Sequence, residues 1–319
     1  MLPFIAVIHD ISYIMHGHFS SLSAGAYTMI YDTPRFFPGG DRYIEVELGD
    51  EMGFELNFRV HSLSAAIRQS GIAGLIELIP EMASLQVSYD PDRISYDDMV
   101  REIASLAAAH GGSADAELDS RLYYVPVLYF DPWTTECVAD YRAKVADKTP
   151  DPELLCEQNH LEGRRELVRR HSGTEYWVAA LGFWPGLCSL MPLNPAHQLI
   201  APKYNPPRTW TPKGTIGLGG AITCIYPDQT PGGYQIFART PMPIWDREQR
   251  LPAFREDLAL FRAGDRVRFI PIDREEWDYI DAQVAAGTYQ HPCVSYQKFS
   301  LGKYRSWLAD STAAGGADV

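Results

Sequence analysis

The sequence predicts an α+β protein in which a small split β-α-β subdomain precedes a loop-rich β-barrel. The first observation is the order of hydrophobic patterns between residues 44 and 111, which runs strand, helix, strand, strand, helix. The second is a change of texture after Tyr176, where glycine and proline recur every few residues up to Pro243. The third is composition: 319 residues with 46% hydrophobic and 22% charged side chains suffice for two folded units.

The net charge narrows the classes of partner. The 28 basic and 41 acidic residues give −13, which excludes a uniformly basic nucleic-acid-binding surface but not a local basic pocket for a small anion. No apolar run is long enough to cross a bilayer, and residues 1–15 lack the basic start of a signal peptide. We therefore expect a cytoplasmic protein that binds neither nucleic acid nor membrane.

The five cysteines are an odd, scattered set without a CxxC pair. This excludes the spacing of a zinc knuckle or a thioredoxin-type redox motif, so we expect no metal site and reduced thiols. Cys188 and Cys224 fall in glycine-rich segments without a neighbouring histidine. We interpret both as small buried side chains.

The N-terminal part divides into an extension and a small α+β subdomain. Residues 1–40 show no clear periodicity and are interpreted as an extension that packs on another part of the protein. Residues 41–120 form the subdomain: a strand alternates from Ile44 to Leu48, and a helix has apolar residues four, three and four positions apart from Leu56 to Ile67. Two strands, a helix that begins at Ser95 and one further strand complete a ferredoxin-like split β-α-β sandwich.

Residues 121–290 form the predicted β-barrel domain. Its strand from Leu122 to Phe130 contains Pro126 and is therefore placed at a sheet edge or a bulge. The polar stretch 134–171 is predicted as a helical insertion that is broken once by prolines. Residues 291–319 are predicted as a C-terminal tail.

The first candidate site is the segment from Leu181 to Gly186, with the sequence LGFWPG. Two glycines and a proline around two aromatic residues suit a rigid loop in which the backbone approaches a ligand and a ring forms a wall. The candidate contacts are Phe183, Pro185 and Gly186. The alternative is a structural β-turn with core aromatics.

The second candidate site is the glycine-rich segment from Gly214 to Pro227, which contains Thr223 and Tyr226. Closely spaced glycines can expose backbone N–H groups to an anion, yet the segment matches neither the P-loop nor the dinucleotide-binding pattern. The alternative is a tightly curved barrel strand.

Single cations and one histidine complete the candidates. Arg208 follows two prolines and Arg239 precedes Thr-Pro, so each suits bidentate capture of a carboxylate, carbamate or phosphate. The alternative is a solvated or salt-bridged surface arginine. His171 ends a charged helix and is a candidate general base or hydrogen-bonding anchor, with a structural role as the alternative.

Taken in order, these motifs resemble the KipI/PxpB family, also called allophanate hydrolase subunit 1, and the matching half of the carboxyltransferase domain of urea carboxylase. The resemblance covers roughly residues 41–280. It is carried by Tyr43 to Ile67, Val87 to Pro91, Val125 to Val127, His171 to Tyr176, Leu181 to Gly186, Gly214 to Pro227, Pro231 to Tyr234, Arg239 to Pro241 and Gly264 to Phe269.

The resemblance implies a cyclophilin-like barrel and an active site shared with a sister subunit of the KipA/PxpC type. Family reactions are ATP-dependent opening of 5-oxoproline, with a third LamB-type subunit, and biotin-dependent carboxyl transfer to urea or similar amides, with biotin carboxylase and carrier subunits. ATP or carboxybiotin would then arrive through partner subunits, with no cofactor bound covalently by this chain. KipI-like proteins also bind and inhibit a histidine kinase, which is the alternative function.

The resemblance also implies the roles of the candidate residues. An anionic substrate group is assigned to Lys203, Arg208 and Arg239, substrate orientation to Thr223 and Tyr226, proton transfer or positioning to His171, and the loop wall to Phe183, Pro185 and Gly186.

Departures from the family leave its substrate open. Ile222-Thr223-Cys224 replaces Gln-Thr-Gly, Lys203 replaces an arginine, and the Ser-Ser-Lys signature of allophanate hydrolysis is absent from the sequence. The leading hypothesis is a subunit of a multi-subunit enzyme that acts on an amide, lactam or urea-like compound through a carboxylated or phosphorylated intermediate.

Overall fold

The computed structural model describes residues 29–110 and 116–315. Predictions for residues 1–28 and for the last residues, 316–319, lie outside the described residues. The strands are β1 (Ile30–Gly39), β2 (Tyr43–Gly49), β3 (Leu75–Pro80), β4 (Ser84–Tyr89), β5 (Glu117–Asp119), β6 (Leu122–Tyr129), β7 (Glu175–Leu181), β8 (Cys188–Pro192), β9 (Thr215–Gly219), β10 (Ile222–Ile225), β11 (Gln235–Arg239), β12 (Arg266–Pro271), β13 (Cys293–Val294) and β14 (Lys298–Ser300). The helices are α1 (Phe54–Ser70), α2 (Tyr96–His110), α3 (Pro132–Lys144), α4 (Asp151–Gln158), α5 (Arg164–Ser172), α6 (Arg274–Ala285) and α7 (Leu301–Gly315).

The first four strands form one antiparallel sheet in the order β1-β2-β4-β3. Alternation along β2 buries Ile44 and Val46 against Leu56 of α1, and Met99 of α2 joins the same core. Helix α1 ends at Gly71, whose φ of 67° lies in the left-handed region that favours glycine.

The strand that completes this sheet differs from the predicted one. The sequence predicts the fourth strand after α2, as in a ferredoxin-like fold, and assigns residues 30–39 to the extension. Instead, β1 pairs with β2 from Gly39 opposite Tyr43 to Ile30 opposite Gly49, whereas β5 pairs with β14. A three-residue turn joins β1 to β2, so the edge of β2 is filled by its nearest neighbour in the chain.

Seven strands close into a barrel in the order β6-β12-β7-β8-β10-β9-β11, and β11 pairs back onto β6. The prediction of mixed helices and strands with a β-barrel is therefore confirmed. Strand β12 runs parallel to β6, and β13 adds beside the start of β6. The interior is filled by large side chains from several strands, among them Tyr176, Phe237 and Phe269.

Strand β6 has neighbours on both sides along other parts of its length, but Pro126 itself is paired only with β12, so its position is locally a sheet edge, as predicted. Strand β13 pairs only with residues 122–123 of β6, and β11 only with residues 128–129. The amide of Tyr124 on this side donates to Pro292 O, and Pro126 follows in the gap before β11. The missing N–H of the proline therefore costs no ladder bond.

The regions predicted as an insertion and a tail are both built into the molecule. The insertion is three helices, of which α3 and α4 pack on β11 and α5 packs on β12. Residues 291–315 contain β13, β14 and α7 instead of a plain tail, and Phe299 and Tyr304 pack against Phe58 and Trp177. None of the helices in the described residues has the length and apolar character that a membrane crossing needs.

The subdomain and the barrel meet at a fully buried asparagine. The Asn57 amide donates to Glu81 O at 2.8 Å and to Met82 O and Ala179 O at 3.2 Å. Its Oδ1 accepts from Trp177 Nε1 at 2.8 Å. One side chain of α1 therefore joins the turn before β4 to barrel strand β7.

Candidate functional site

The structure distributes the predicted residues over four places. Two lie inside the barrel, three meet on its outer face, one lies on an aromatic pair, and three form an exposed loop. These groups are His171 and Thr223; Lys203, Arg208 and Tyr226; Arg239; and Phe183, Pro185 and Gly186.

His171 and Thr223 lie in the barrel interior. The His171 imidazole is fully buried, stacks on Phe269 with 4.4 Å between ring centroids, and shares a 2.7 Å hydrogen bond with the Tyr129 hydroxyl through Nδ1. Thr223 is buried beside Tyr176, whose hydroxyl donates to His171 O at 3.0 Å. Burial lowers the pKa of His171 to about 3, so the ring is neutral at pH 7. Because no substrate reaches the ring in this arrangement, we leave His171 and Thr223 out of the proposed site.

The outer face of the barrel carries the cation loop, which we define as residues 202–208. The Arg208 side chain is 2% exposed. Its Nη1 donates to Tyr234 O at 2.6 Å, and its Nε and Nη2 donate to Thr211 Oγ1. The guanidinium carbon lies 4.4 Å from the centroid of the Tyr204 ring. Among the described residues Arg208 forms no ion pair, so its buried charge is held by neutral groups alone.

Tyr226 and Lys203 stand beside this arginine. Tyr226 is buried and packs so closely on Gly232 that a Cβ there would lie 2.5 Å from the tyrosine hydroxyl, which explains the glycine. Lys203 is exposed, with Nζ 5.3 Å from the centroid of the Tyr234 ring. Partial desolvation lowers its pKa. The cluster thus offers an exposed amine in front of a buried guanidinium.

A carboxylate that the sequence analysis missed supports the cation loop from behind. Asp151 of α4 is 0% exposed and accepts from the Tyr204 hydroxyl at 2.5 Å, from the Ile236 amide at 2.6 Å and from Lys148 Nζ. Lys148 also donates to Gln235 at 2.7 Å. The only local signal was a proline on each side of Asp151, which indicated a break between helices and no buried network.

Arg239 lies at the end of β11, away from the cation loop. Its guanidinium carbon is 4.8 Å from the Trp133 ring and 5.2 Å from the Trp277 ring, and its Nε donates to Lys213 O at 2.5 Å. Burial against the indoles lowers its pKa, with opposing contributions from Asp131 and Asp281.

The LGFWPG segment is an exposed loop between β7 and β8. Phe183 has a φ of 69° and is 72% exposed, and Trp184 also reaches solvent. Gly186 has a φ of 78° and faces Trp245, which leaves 3.0 Å for an added Cβ. The loop therefore presents aromatic surface instead of burying it, unlike the core turn that was its alternative.

The chemistry of the outer-face cluster is binding and polarisation. Burial raises the pKa of the Cys188 thiol to about 12 and raises that of Cys224 further, so neither is a thiolate nucleophile. Residues 29–110 and 116–315 contain no group of three His, Cys, Asp or Glu side chains that could hold a metal ion. The exposed Lys203 amine, supported by the buried Arg208 and Tyr226, suits an anionic ligand.

Comparisons with known proteins extend over this architecture. The chain is 28% identical to the urea amidolyase of Saccharomyces cerevisiae over 278 residues, which covers 84% of this chain and 15% of that protein. It is 29% identical to a 5-oxoprolinase subunit of Bacillus subtilis over 248 residues, with coverage of 75% and 92%. The chain therefore spans about 15% of the length of the yeast enzyme and nearly all of the bacterial protein.

A solved structure has the same fold. The urea amidolyase of K. lactis superposes with a TM-score of 0.77 at 24% identity, over 89% of this chain and 17% of that one. Residues 34–255 match the family described as carboxyltransferase domain, subdomain C and D. This match covers most of the chain and includes the cation loop, Tyr226 and Arg239. The chain belongs to the carboxyltransferase-domain family.

Proposed function

We propose that this protein is one subunit of a multi-subunit enzyme that acts on an amide, lactam or urea-like small molecule. The reaction would be of the biotin-dependent carboxyltransferase or ATP-dependent 5-oxoprolinase type, in which a carboxylated or phosphorylated intermediate carries negative charge. The observation that carries the proposal is the convergence of Lys203, Arg208 and Tyr226 on one face of the barrel, within the segment that matches the family.

Each residue of this cluster has a separate task in the proposal. The exposed Lys203 amine contacts the anionic group directly, as a compact point charge. Arg208 is a positioning residue, because it is buried and holds the 231–234 turn through Tyr234 O. Its charge, unpaired with any carboxylate of the described residues, favours an anion nearby. The Tyr226 hydroxyl remains protonated because burial raises its pKa, and its close packing on Gly232 makes it a second positioning residue for the 231–234 turn.

The activated group would be delivered by partner subunits. The exposed Lys203 amine, with the charge of the buried Arg208 behind it, fits the carboxylate or phosphoryl oxygens of such a group. ATP or carboxybiotin would supply the group through a sister subunit of the KipA/PxpC type and a LamB-type or biotin-carrier subunit. The loop from Phe183 to Gly186 is exposed beside the same end of the barrel. We assign it to contact with the sister subunit, whose barrel would complete a cyclophilin-like pair.

The experiment is to co-purify the chain with its sister subunit and to compare two substrate sets. One set is ATP and 5-oxoproline with the LamB-type subunit, and the other is ATP, bicarbonate and urea with biotin carboxylase and the biotin carrier. Turnover with either set, absent without this chain, supports the proposal. No turnover with either, together with inhibition of a histidine kinase, would instead favour the KipI-like regulatory alternative.

A further inference from the structure

We propose that Arg239 belongs to a second oxyanion-binding site, built with Arg274 around Trp133 and Trp277 and separate from the cation loop. The family resemblance implies one anion-binding set of Lys203, Arg208 and Arg239. The structure separates them, and the second site does not depend on the reaction proposed above.

Helix α3 separates the two cation centres. Trp133, Cys137 and Tyr141 follow one another at four-residue spacing and therefore share one face of the helix. Tyr141 packs on Tyr204 of the cation loop with ring centroids 4.7 Å apart, whereas Trp133 packs on Arg239. Eight residues at 1.5 Å each place the two ends roughly 12 Å apart.

The two tryptophans form a platform for both arginines. The Trp133 and Trp277 rings lie 4.9 Å apart at 33°, which is a tilted stack. The guanidinium carbon of Arg274 lies 5.1 Å from the Trp133 ring, close to the 4.8 Å of Arg239. The stacking energy holds both guanidinium groups against aromatic faces and leaves their edges for hydrogen bonds.

Both arginines are anchored through Nε and leave their Nη groups available. Arg239 Nε donates to Lys213 O, and Arg274 Nε donates to Asp278 Oδ1 at 2.8 Å. Within the described part of the chain, no hydrogen bond reaches an Nη atom of either arginine. The terminal N–H groups are the ones that bind carboxylate and phosphate oxygens in bidentate fashion.

The neighbouring carboxylates do not neutralise Arg239. Asp131 caps α3 and accepts from the Thr134 amide at 2.9 Å and the Thr134 hydroxyl at 2.6 Å. Asp281 acts on Arg239 by its charge alone, because no ion pair joins these two described residues. Asp278 forms its ion pair with Arg274. Arg239 is half-buried without a carboxylate partner in the described chain, and Arg274 lies against the same Trp133 ring, so the platform suits a small oxyanion. The shared chemistry is that of a carboxylate or a phosphoryl group.

The test uses the full chain with 5-fluorotryptophan in place of its seven tryptophans, observed by ¹⁹F NMR. The Trp133→Phe and Trp277→Phe variants assign the two platform resonances. Inorganic phosphate and sodium acetate are titrated separately at constant ionic strength, and the arm that saturates at the lower concentration identifies the preferred oxyanion. We expect the platform resonances to shift saturably. The resonance of Trp210, beside the cation loop, should not follow the same curve.

Single substitutions decide whether the arginines form the site. Arg239→Gln should abolish the saturable shift, and Arg274→Gln should weaken binding about tenfold, because a charge-assisted hydrogen bond is lost. Arg262→Gln, an exposed arginine paired with Asp257, and Lys203→Met should leave the curve unchanged. The unchanged resonances of the other tryptophans show that each variant is folded. No saturable shift with either anion, or full binding by Arg239→Gln, would overturn the second site. Loss of binding in Lys203→Met would show one merged site and would also overturn it.

Discussion

Arg208 illustrates how a buried charge is kept in place by neutral groups and aromatic rings. Its guanidinium lies against Tyr204, and the Tyr204 hydroxyl donates to Asp151, which Lys148 also contacts. Tyr204 therefore couples the buried cation to the buried carboxylate of Asp151. Removal of one member leaves the others buried without a partner, which costs more than the hydrogen bond itself contributes.

The first prediction concerns the Tyr204 hydroxyl. Tyr204→Phe keeps the ring that packs on Arg208 and removes one donor to Asp151, so we expect a loss of about 2 kcal/mol in the free energy of unfolding. Urea denaturation measures it. Tyr296→Phe is the matched control, because Tyr296 is 99% exposed and its hydroxyl has no partner to lose among the described residues. Equal stability of the two variants would contradict the buried network.

The second prediction concerns the pH dependence of the free energy of unfolding. His61 is buried, its Nε2 lies 2.9 Å from Ala179 O, and burial lowers its pKa to about 4. The unfolded chain, with a histidine pKa near 6.5, binds more protons below that pH, so stability is full above about 6.5 and falls as the pH drops towards 4. The wild-type chain loses free energy of unfolding between pH 6.5 and pH 5, and His61→Gln should reduce that loss by about 2 kcal/mol.

Two comparisons isolate this effect in the same unfolding titration. His160→Gln, at an exposed histidine, is the control for the substitution of a histidine by glutamine. Burial next to Glu45 raises the pKa of Glu81 to about 7, so Glu81 makes stability fall as the pH rises towards 7 and opposes the effect of His61. Glu81→Gln should therefore steepen the rise of stability with pH. An unchanged slope in His61→Gln would refute the assignment.

At the scale of elements, helix α1 binds the rest of the molecule in two ways that differ in energy. Asn57 makes a fully buried set of hydrogen bonds to β7 and to the turn before β4. Glu55, two residues away on the same helix, pairs with Arg305 of α7 at 2.8 Å, but both side chains are exposed. The buried neutral network should dominate the docking of the helix.

The third prediction compares these two links. Asn57→Ala leaves the Trp177 indole N–H and buried carbonyls without partners, and we expect it to cost about 3 kcal/mol. Arg305→Ala breaks an exposed ion pair and should cost less than about 1 kcal/mol. Thermal and urea unfolding of both variants measure the difference. A larger loss in Arg305→Ala than in Asn57→Ala would reverse the ranking.

Elements set by local patterns could be predicted from the sequence, and elements set by distant pairing could not. Alternation from Ile44 to Leu48 and helical spacing from Leu56 to Ile67 are local, and both elements form as predicted. Strand β1 has no clear alternation because an edge strand is exposed on most of its length. Strand β13 pairs with only two residues of β6 and so leaves Pro126 without a partner strand on that side. Because β13 lies some 170 residues further along the chain, no local sequence pattern predicts this pairing.

The candidate site was predicted in its residue types but not in its grouping. Gly232 is recognisable because a close backbone approach permits only glycine, and Arg208 because only arginine has a forked set of donors. Asp151 was missed because a carboxylate at the start of a helix is the common pattern of a cap. The burial of His171 could not be read from a single histidine, since the strands that enclose it come from across the barrel.

At the scale of the whole molecule, the net charge is −13, and the buried Arg208 and half-buried Arg239 both lie against aromatic rings. The same barrel exposes Phe183 and Trp184 near one of these positions. A left-handed Phe183 held in solvent is unfavourable for an isolated chain, and contact with a partner would bury it.

The fourth prediction separates folding from assembly. Phe183→Ala should leave the free energy of unfolding of the isolated chain within about 0.5 kcal/mol of the wild type, because the ring is exposed. It should weaken binding to the sister subunit roughly tenfold or more, as an aromatic anchor does. Calorimetric titration measures the binding. Ile76→Ala, at an exposed residue of β3, is the control. Unchanged affinity in Phe183→Ala would remove the loop from the interface.

The most direct test of the central claim is the turnover of the assembled complex with Lys203→Met. The exposed amine carries the contact with the anionic group, and its replacement should lower kcat/KM roughly 100-fold, because a charge-assisted contact is lost. Lys303→Met, at an exposed lysine of α7, should retain full activity. If both complexes turn over at the wild-type rate, the outer face of the barrel is not where this protein binds its substrate.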